Sequence, residues 1–293
     1  MKEFIQHTGE SIATIFRLFL FSSGRGILNT SEIPKSERCI IIGNGPSFRT
    51  SVEKYAEDLK KNQLLCVNNF AVTPFYEEFK PVFYVLNANV LFYPDEKISQ
   101  LYIDIRKNLF KAIEEKTTWD LYMMVPFIAK KSVEFNKILS TNPRIKPLYF
   151  NQTPAEGYTF FKHFLFRKGL GIPRPHNVLI PSIMNLIKLG YKEIYMIGAD
   201  HSWLGEITVN EKNEALVNQK HFYDENESRP EKMEDYITRP RRLHEMVHKF
   251  YLSFKGYWEI YDFAQKEGVH IYNSSEISMI DAFERRKPDQ IRY

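Results

Sequence analysis

The chain has 293 residues, with 40 Lys plus Arg against 36 Asp plus Glu and a formal charge of +4. Its hydrophobic share of 43% and charged share of 26% are globular values, which exclude a disordered, collagen-like or disulfide-stapled chain. The small charge excess argues against a nucleic-acid binder but suits an anionic ligand or an anionic membrane surface.

The first apolar stretch, Ile12 to Phe21, is interrupted by Arg17 and lacks a cleavage site. It is also far short of the roughly 20 apolar residues that span a bilayer. Ile12, Ile15, Phe16 and Phe19 fall at helical spacing. This predicts an amphipathic helical extension over 1–36. The helix is expected to pack on the body or on a second copy in a homo-oligomer, with peripheral membrane contact as the competing reading. After a Ser-Gly break at 22–26, Arg38-Cys39-Ile40-Ile41-Ile42-Gly43 reads as a strand. A helix follows, with Thr50 and Glu53 as its capping box and Val52, Tyr55, Ala56 and Leu59 as its buried stripe. Strands are expected at 64–67, 82–86 and 121–125, with helical stretches at 76–79 and 95–117. Residues 126–176 hold six prolines and give no clear periodicity. A helix from Asn177 to Leu189 stops at Gly190, and a strand follows over 193–198. The polar stretch 205–239 reads as a lid, about 204–240 in all, before a helix over 241–266 and a strand at 269–272.

Strands that alternate with helices and are apolar throughout predict an α/β fold. The expected architecture is a Rossmann-like, doubly wound, mostly parallel sheet forming one domain over 37–293. Cys39 and Cys66 lie inside apolar strand runs and read as small buried hydrophobes. They form neither a disulfide framework nor a zinc site, which fits a reducing, cytoplasmic setting.

Ligands of such sheets bind beyond the carboxyl ends of the strands. Five predicted strand ends carry short polar residues: Gly43-Asn44-Gly45-Pro46-Ser47, Asn68-Asn69, Asn87 with Asn89, Ala199-Asp200-His201-Ser202 and Asn273-Ser274-Ser275. In the first, Gly43 and Gly45 would let the backbone approach a ligand, and the following amides would hold an anionic oxygen. Asp200 with His201 offers an acid–base pair or a metal site, or else a strand end capped by its own side chains. The lid adds His221, Tyr223, Asp224, Tyr236 and the arginines 239, 241 and 242. Tyr hydroxyls and Arg forks suit a leaving phosphate, and a lid histidine suits proton removal from an acceptor hydroxyl. His244-Glu245-Met246-Val247-His248 matches the zinc-protease pattern but lacks a third ligand and the setting for it, so no metal is assigned.

Four segments together resemble a known family: Cys39–Ser47, Cys66-Val67-Asn68-Asn69-Phe70, Val82-Phe83-Tyr84, and Gly190-Tyr191-Lys192-Glu193-Ile194-Tyr195 with Gly198-Ala199-Asp200. They are similar to the bacterial sialyltransferases that decorate lipooligosaccharide. They also resemble a broader group akin to the hydroxymethylpterin diphosphokinases and the Maf-type flagellin glycosyltransferases. The resemblance covers roughly 38–90 and 176–283. It implies transfer of sialic acid or another CMP-activated acidic sugar to a lipooligosaccharide, capsule or O-antigen glycan, without a metal or resident cofactor. The expected setting is the cytoplasm, with peripheral contact at the inner face of the bacterial membrane as the competing reading. The resemblance implies nucleotide contacts from Asn44, Gly45 and Asn68 or Asn69. The family's Thr-Ser-Gly helix start has no clean match, and Asn177 or Ser182 stands nearest. The family's lid histidine maps best to His221, with His244 second, and its lid tyrosines would aid the leaving phosphate. His201 replaces an aromatic residue of the family. The basic residues Arg285, Arg286, Lys287 and Arg292 fit an anionic donor. An ATP-dependent diphosphokinase, needing Mg²⁺ on carboxylates such as Asp200 and Asp224, and a non-catalytic nucleotide-binding module are the alternatives.

Overall fold

The computed structural model describes residues 1–22, 33–34, 36–218, 221–223, 230–233 and 239–290. The chain opens with α1 (Lys2–Phe21), then β1 (Arg38–Ile42), α2 (Ser47–Lys60), β2 (Gln63–Val67), α3 (Phe75–Phe79) and β3 (Phe83–Val85). Next come α4 (Gln100–Lys116), β4 (Leu121–Pro126), α5 (Val133–Thr141), β5 (Ile145–Phe150), α6 (Thr159–Lys168), α7 (Leu179–Leu189) and β6 (Glu193–Ile197). Three short strands, β7 (Ile207–Val209), β8 (Ala215–Val217) and β9 (Glu231–Lys232), precede α8 (Leu243–Glu267), β10 (His270–Asn273) and β11 (Glu284–Arg285).

Eight strands form one parallel sheet in the order β11-β10-β6-β1-β2-β3-β4-β5. The chain lays β1 to β5 outward in sequence, then returns to set β6 against the free side of β1. This is the doubly wound arrangement expected, and it puts the topological switch point between β1 and β6. Both faces of the sheet are covered, so its strands carry apolar residues on both sides. Cys39, Ile41, Leu65 and Val67 pack toward Leu165, Ile180, Ile183 and Phe263, the layer of α6, α7 and α8. Ile40, Ile42, Leu64 and Cys66 pack toward Phe48, Phe79, Leu109 and Phe135, the layer of α2 to α5. Both thiols are buried, which pushes their pKa values up and keeps them protonated.

Several elements differ from the sequence expectation. α2 starts at Ser47, so Thr50 and Glu53 lie inside the helix and do not cap it. α4 starts at Gln100, after a 3-10 turn over 95–97. The stretch 126–176 contains α5, β5 and α6. Pro147 sits in β5, an edge strand, where a missing backbone donor does least harm. The described lid residues hold an antiparallel sheet, β7-β8-β9, whose Ala215, Val217 and Met233 pack on Met246 and Phe250 of α8.

The N-terminal helix docks by its polar face. Thr14 is fully buried and exchanges hydrogen bonds with the Glu156 backbone, and Arg17 pairs with Glu156 at 2.5 Å. Thr8 meets Tyr158 at 2.9 Å. Phe4, Ile12, Ile15, Phe16 and Phe19 are left exposed, Phe19 at 88%. Among the described residues no helix is long and apolar enough to cross a membrane.

A candidate nucleotide site at the switch point

The β1–α2 turn and the β6 turn interlock. The Gly43 amide donates to the Ile197 carbonyl and the Gly45 amide to the Gly198 carbonyl, both at 2.8 Å. A Cβ on Gly43 would lie 2.4 Å from the Gly198 oxygen, and one on Gly45 would lie 2.6 Å from Asp200 Cγ. The glycines therefore admit a neighbouring strand end, where the sequence suggested a ligand. Asp200 completes the junction. Its carboxylate, 5% exposed, accepts from the Ser47 amide at 2.8 Å and from the Ser47 hydroxyl. An internal carboxylate thus occupies the start of α2, the place expected for a ligand anion. Burial raises the Asp200 pKa, and the Ser47 bonds hold it down only in part. Pro46 supplies the helix N-cap, and Ser47 serves Asp200 instead of facing a ligand.

The cleft opens beside this junction, with a volume of about 210 Å³. Gly43, Asn44, Gly45 and Pro46 line its floor, with Asn68 at the end of β2. Asn44 Nδ2 donates to the Val67 carbonyl at 3.2 Å, while its buried Oδ1 has no partner. Asn68 takes a left-handed conformation, φ 51°, and faces solvent.

The opposite wall comes from the turn into α7 and from α8. Asn177 Oδ1 accepts from the amides of Leu179 and Ile180, at 2.9 and 3.3 Å, and so caps α7. It also accepts from the Tyr257 hydroxyl at 3.0 Å. Tyr257 therefore takes its own hydrogen bond from His201 Nε2, at 2.6 Å, which makes His201 a neutral ring protonated on Nε2. Burial pushes the His201 pKa down to about 3. Asn177 Nδ2 and His176 Nε2 are buried without partners. Burial, together with Lys249 and Arg174, pushes the His176 pKa down to about 4. Lys249 and Ser253, one turn apart on α8, also line the cleft. Trp203 and Phe250 stack at 5.1 Å to form its aromatic side.

His221 reaches the cleft because its neighbour is an anchor. Phe222 is buried against Phe48, at 4.7 Å between ring centroids, and against Phe70 and Phe75. The Phe222 amide donates to the Asn44 carbonyl at 3.0 Å, and Arg49 donates to the Phe222 carbonyl at 3.0 Å. Tyr223 stacks parallel to His221 at 5.0 Å. A second lobe of about 490 Å³ adjoins the cleft and shares Asn68, His176, Asn177 and Lys249 with it. Asn87 lies in this lobe, where its side chain binds the Pro175 carbonyl and Gln152.

Five expected residues fall elsewhere or beyond the description. Asn69 faces a separate groove beside α4. Ser182 is fully buried inside α7 and donates to the Val178 carbonyl at 2.7 Å. His244 is exposed in the first turn of α8, outside the cleft. Tyr236 lies outside the described residues, as does Asp224. The zinc-protease match fails on its glutamate too. Glu245 is paired with Arg239 at 2.6 Å and accepts the Arg242 amide at 2.8 Å, and these bonds lower its pKa to about 2. Among the described residues no cluster of His, Cys, Asp or Glu could hold a metal. His176, Lys249, Tyr257 and the anchor Phe222 were not singled out from the sequence.

No family model and no curated protein matches the chain. Among solved structures, the chain is similar to the Maf glycosyltransferase of Magnetospirillum magneticum AMB-1, with TM-score 0.49 and 11% identity over 98% of this chain and 39% of that one. It is also similar to a mammalian sialyltransferase, with TM-score 0.38 and 14% identity over 88% of this chain and 77% of that one. The chain thus spans about two fifths of the length of the Maf protein.

Proposed function

We propose that the chain is a glycosyltransferase that takes an acidic sugar from a CMP-activated donor and passes it to a surface glycan or glycolipid. One observation carries this reading: Asn44 Oδ1 and Asn177 Nδ2 are buried without partners in two residues that line a switch-point cleft with Lys249 and His221. A nucleobase offers both donors and acceptors, which match an orphan acceptor and an orphan donor. Trp203 and Phe250 give its ring an apolar wall. Lys249 balances the phosphate as it leaves.

In the proposed step the acceptor oxygen attacks the anomeric carbon as the bond from that carbon to the phosphate oxygen breaks. His221 takes the hydroxyl proton, and CMP departs with the bond pair. His176 and His201 are weak bases, with pKa values near 4 and 3, so neither suits proton removal near neutrality. Asp200 is tied to Ser47 and takes no direct part. That same commitment weighs against the diphosphokinase alternative, which needs free carboxylates for Mg²⁺. The adjoining lobe, lined by Asn68, Asn87, Asn89 and Gln152, suits a polyhydroxylated acceptor. The outward apolar stripe of α1 is the surface offered to a membrane carrying that acceptor, and sedimentation with lipid vesicles tests it.

The deciding experiment offers the purified protein CMP–sialic acid with a panel of glycan and glycolipid acceptors and follows CMP release. His221→Ala is expected to lower transfer by about 10²–10⁴-fold while CMP still raises the melting temperature. Wild-type stabilisation by ATP with Mg²⁺ alone, and none by CMP, would overturn the reading. CMP binding without turnover of any activated sugar would instead favour a non-catalytic module.

A further inference from the structure

A second cavity, of about 610 Å³, lies at the same carboxyl edge of the sheet but behind Asp200. It shares no lining residue with either lobe of the cleft. Its walls are the later part of α2, the turn after β10 and the segment from β11 onward. That turn separates the two cavities. Ser275 Oγ accepts the Ala199 amide at 2.9 Å, and the Met279 amide donates to the Asp200 carbonyl at 2.9 Å.

The lining is cationic. Lys54, Arg285, Arg286 and Lys287 face Glu276 and Asp289. Lys54 is paired with Glu276 at 2.6 Å, and Arg285 donates to the carbonyls of Ser275 and Glu276 at 2.8 and 3.0 Å. Arg286 sits over the Tyr272 ring, 3.7 Å from its centroid, and donates to the exposed Glu284 at 3.2 Å, two contacts that hold its guanidinium at the cavity wall. The Lys287 ammonium has no ion pair among the described residues. Ser274 is only 2% exposed, yet its hydroxyl has no hydrogen-bond partner. A buried hydroxyl is normally paired, so an orphan lining a cationic cavity marks a place for a ligand oxygen.

We propose that this cavity binds a small phosphate-bearing anion, held by Lys287, Arg286 and the Ser274 hydroxyl. A phosphate accepts hydrogen bonds from several donors at once, and the site offers two cationic heads and a hydroxyl. The volume lies within the range of about 300–1,000 Å³ typical of small-molecule sites, more than a bare phosphate fills. The ligand is therefore a phosphorylated small molecule, a nucleotide or a sugar phosphate.

Calorimetric titration of the full chain with inorganic pyrophosphate tests the site. Wild type is expected to bind saturably. Lys287→Glu is expected to weaken binding by about tenfold or more, the scale of one lost charge-assisted contact. Ser274→Ala removes an unpaired hydroxyl, so the melting temperature should hold or rise while affinity falls severalfold. Lys249→Glu, in the nucleotide cleft, should leave pyrophosphate binding unchanged. Competition by CMP identifies a nucleotide as the source of the phosphate, and competition by a hexose phosphate identifies a sugar phosphate. The proposal is overturned by an absence of saturable binding, by wild-type affinity in both cavity variants, or by binding that Lys249→Glu alone removes.

Discussion

The two turns that face each other across the cleft differ in how their polar groups are used. In the β1–α2 turn, the amides of Gly43, Gly45 and Ser47 are all bound by β6 or by Asp200. In the turn into α7, Asn177 Nδ2 and His176 Nε2 are buried and unbound. The glycine-rich turn carries the sequence signature of a phosphate loop, yet here it is chiefly an architectural joint. The proline-rich turn has no such signature, yet it presents the open hydrogen-bonding groups. Glycine permits close approach but does not specify what approaches.

The joint is the place to break first. Gly198 has φ +62°, and a Cβ there would lie 2.6 Å from the Gly43 carbonyl oxygen and 2.8 Å from Phe48 Cβ. Backbone strain adds to overpacking, so Gly198→Ala should cost about 3 kcal/mol or more in urea unfolding. A wild-type midpoint in that variant would mean that the two turns are not locked together.

The histidines of the cleft wall set the next effect. His201 and His176 have folded pKa values below their ordinary 6.5, near 3 and 4. Below pH 6.5 the unfolded chain takes up protons that the native state resists, so stability falls as pH falls toward these values. Glu156, held below its ordinary range by Arg174 and Arg17 against the opposing effect of burial, adds to the loss further into acid. Asp200 works the other way, because its raised pKa makes its ionised form the costly one. His201→Gln keeps a donor for Tyr257 but cannot titrate. It should remove on the order of 2 kcal/mol of the acid loss between pH 7 and about pH 4.5. Denaturant titrations at both pH values measure this, and an unchanged slope would place the acid sensitivity elsewhere.

What the sequence disclosed follows the same division. Runs such as Cys39–Ile42, Leu64–Val67 and Ile194–Ile197 were legible because a parallel sheet buries both strand faces. β5 was not, because an edge strand tolerates Lys146 and Pro147 and loses the apolar signature. The sheet of β7, β8 and β9 was hidden in a polar stretch because its strands have only two or three residues and are partly exposed. At the candidate site, strand-end reasoning points to Asn44, Asn68 and Asp200, which line the cleft, but it does not tell which polar groups the fold itself consumes. Nothing in the sequence marks Lys249 and Ser253 within the helix expected over 241–266. Only the packing of α8 against α7 brings them to the cleft. Phe222 carries no mark in the sequence of the lid, although it is the anchor that brings His221 to the cleft.

The smallest contrast is also the sharpest test of which residue at the start of α7 faces a ligand. Asn177→Ala deletes a helix cap and should cost about 1 kcal/mol in stability. It also removes the orphan donor of the cleft, so CMP affinity should fall by about tenfold in fluorescence or calorimetric titration. Ser182 lies five residues on, and its hydroxyl only bonds back to Val178 within the helix. Such a bond adds little to a helix that already satisfies that carbonyl, so Ser182→Ala should change stability by no more than about 0.5 kcal/mol. It should leave CMP affinity untouched. If Ser182→Ala weakened CMP while Asn177→Ala did not, the open groups of the proline-rich turn would have no part in binding. The glycine turn would then have to hold the ligand with amides that the fold already uses.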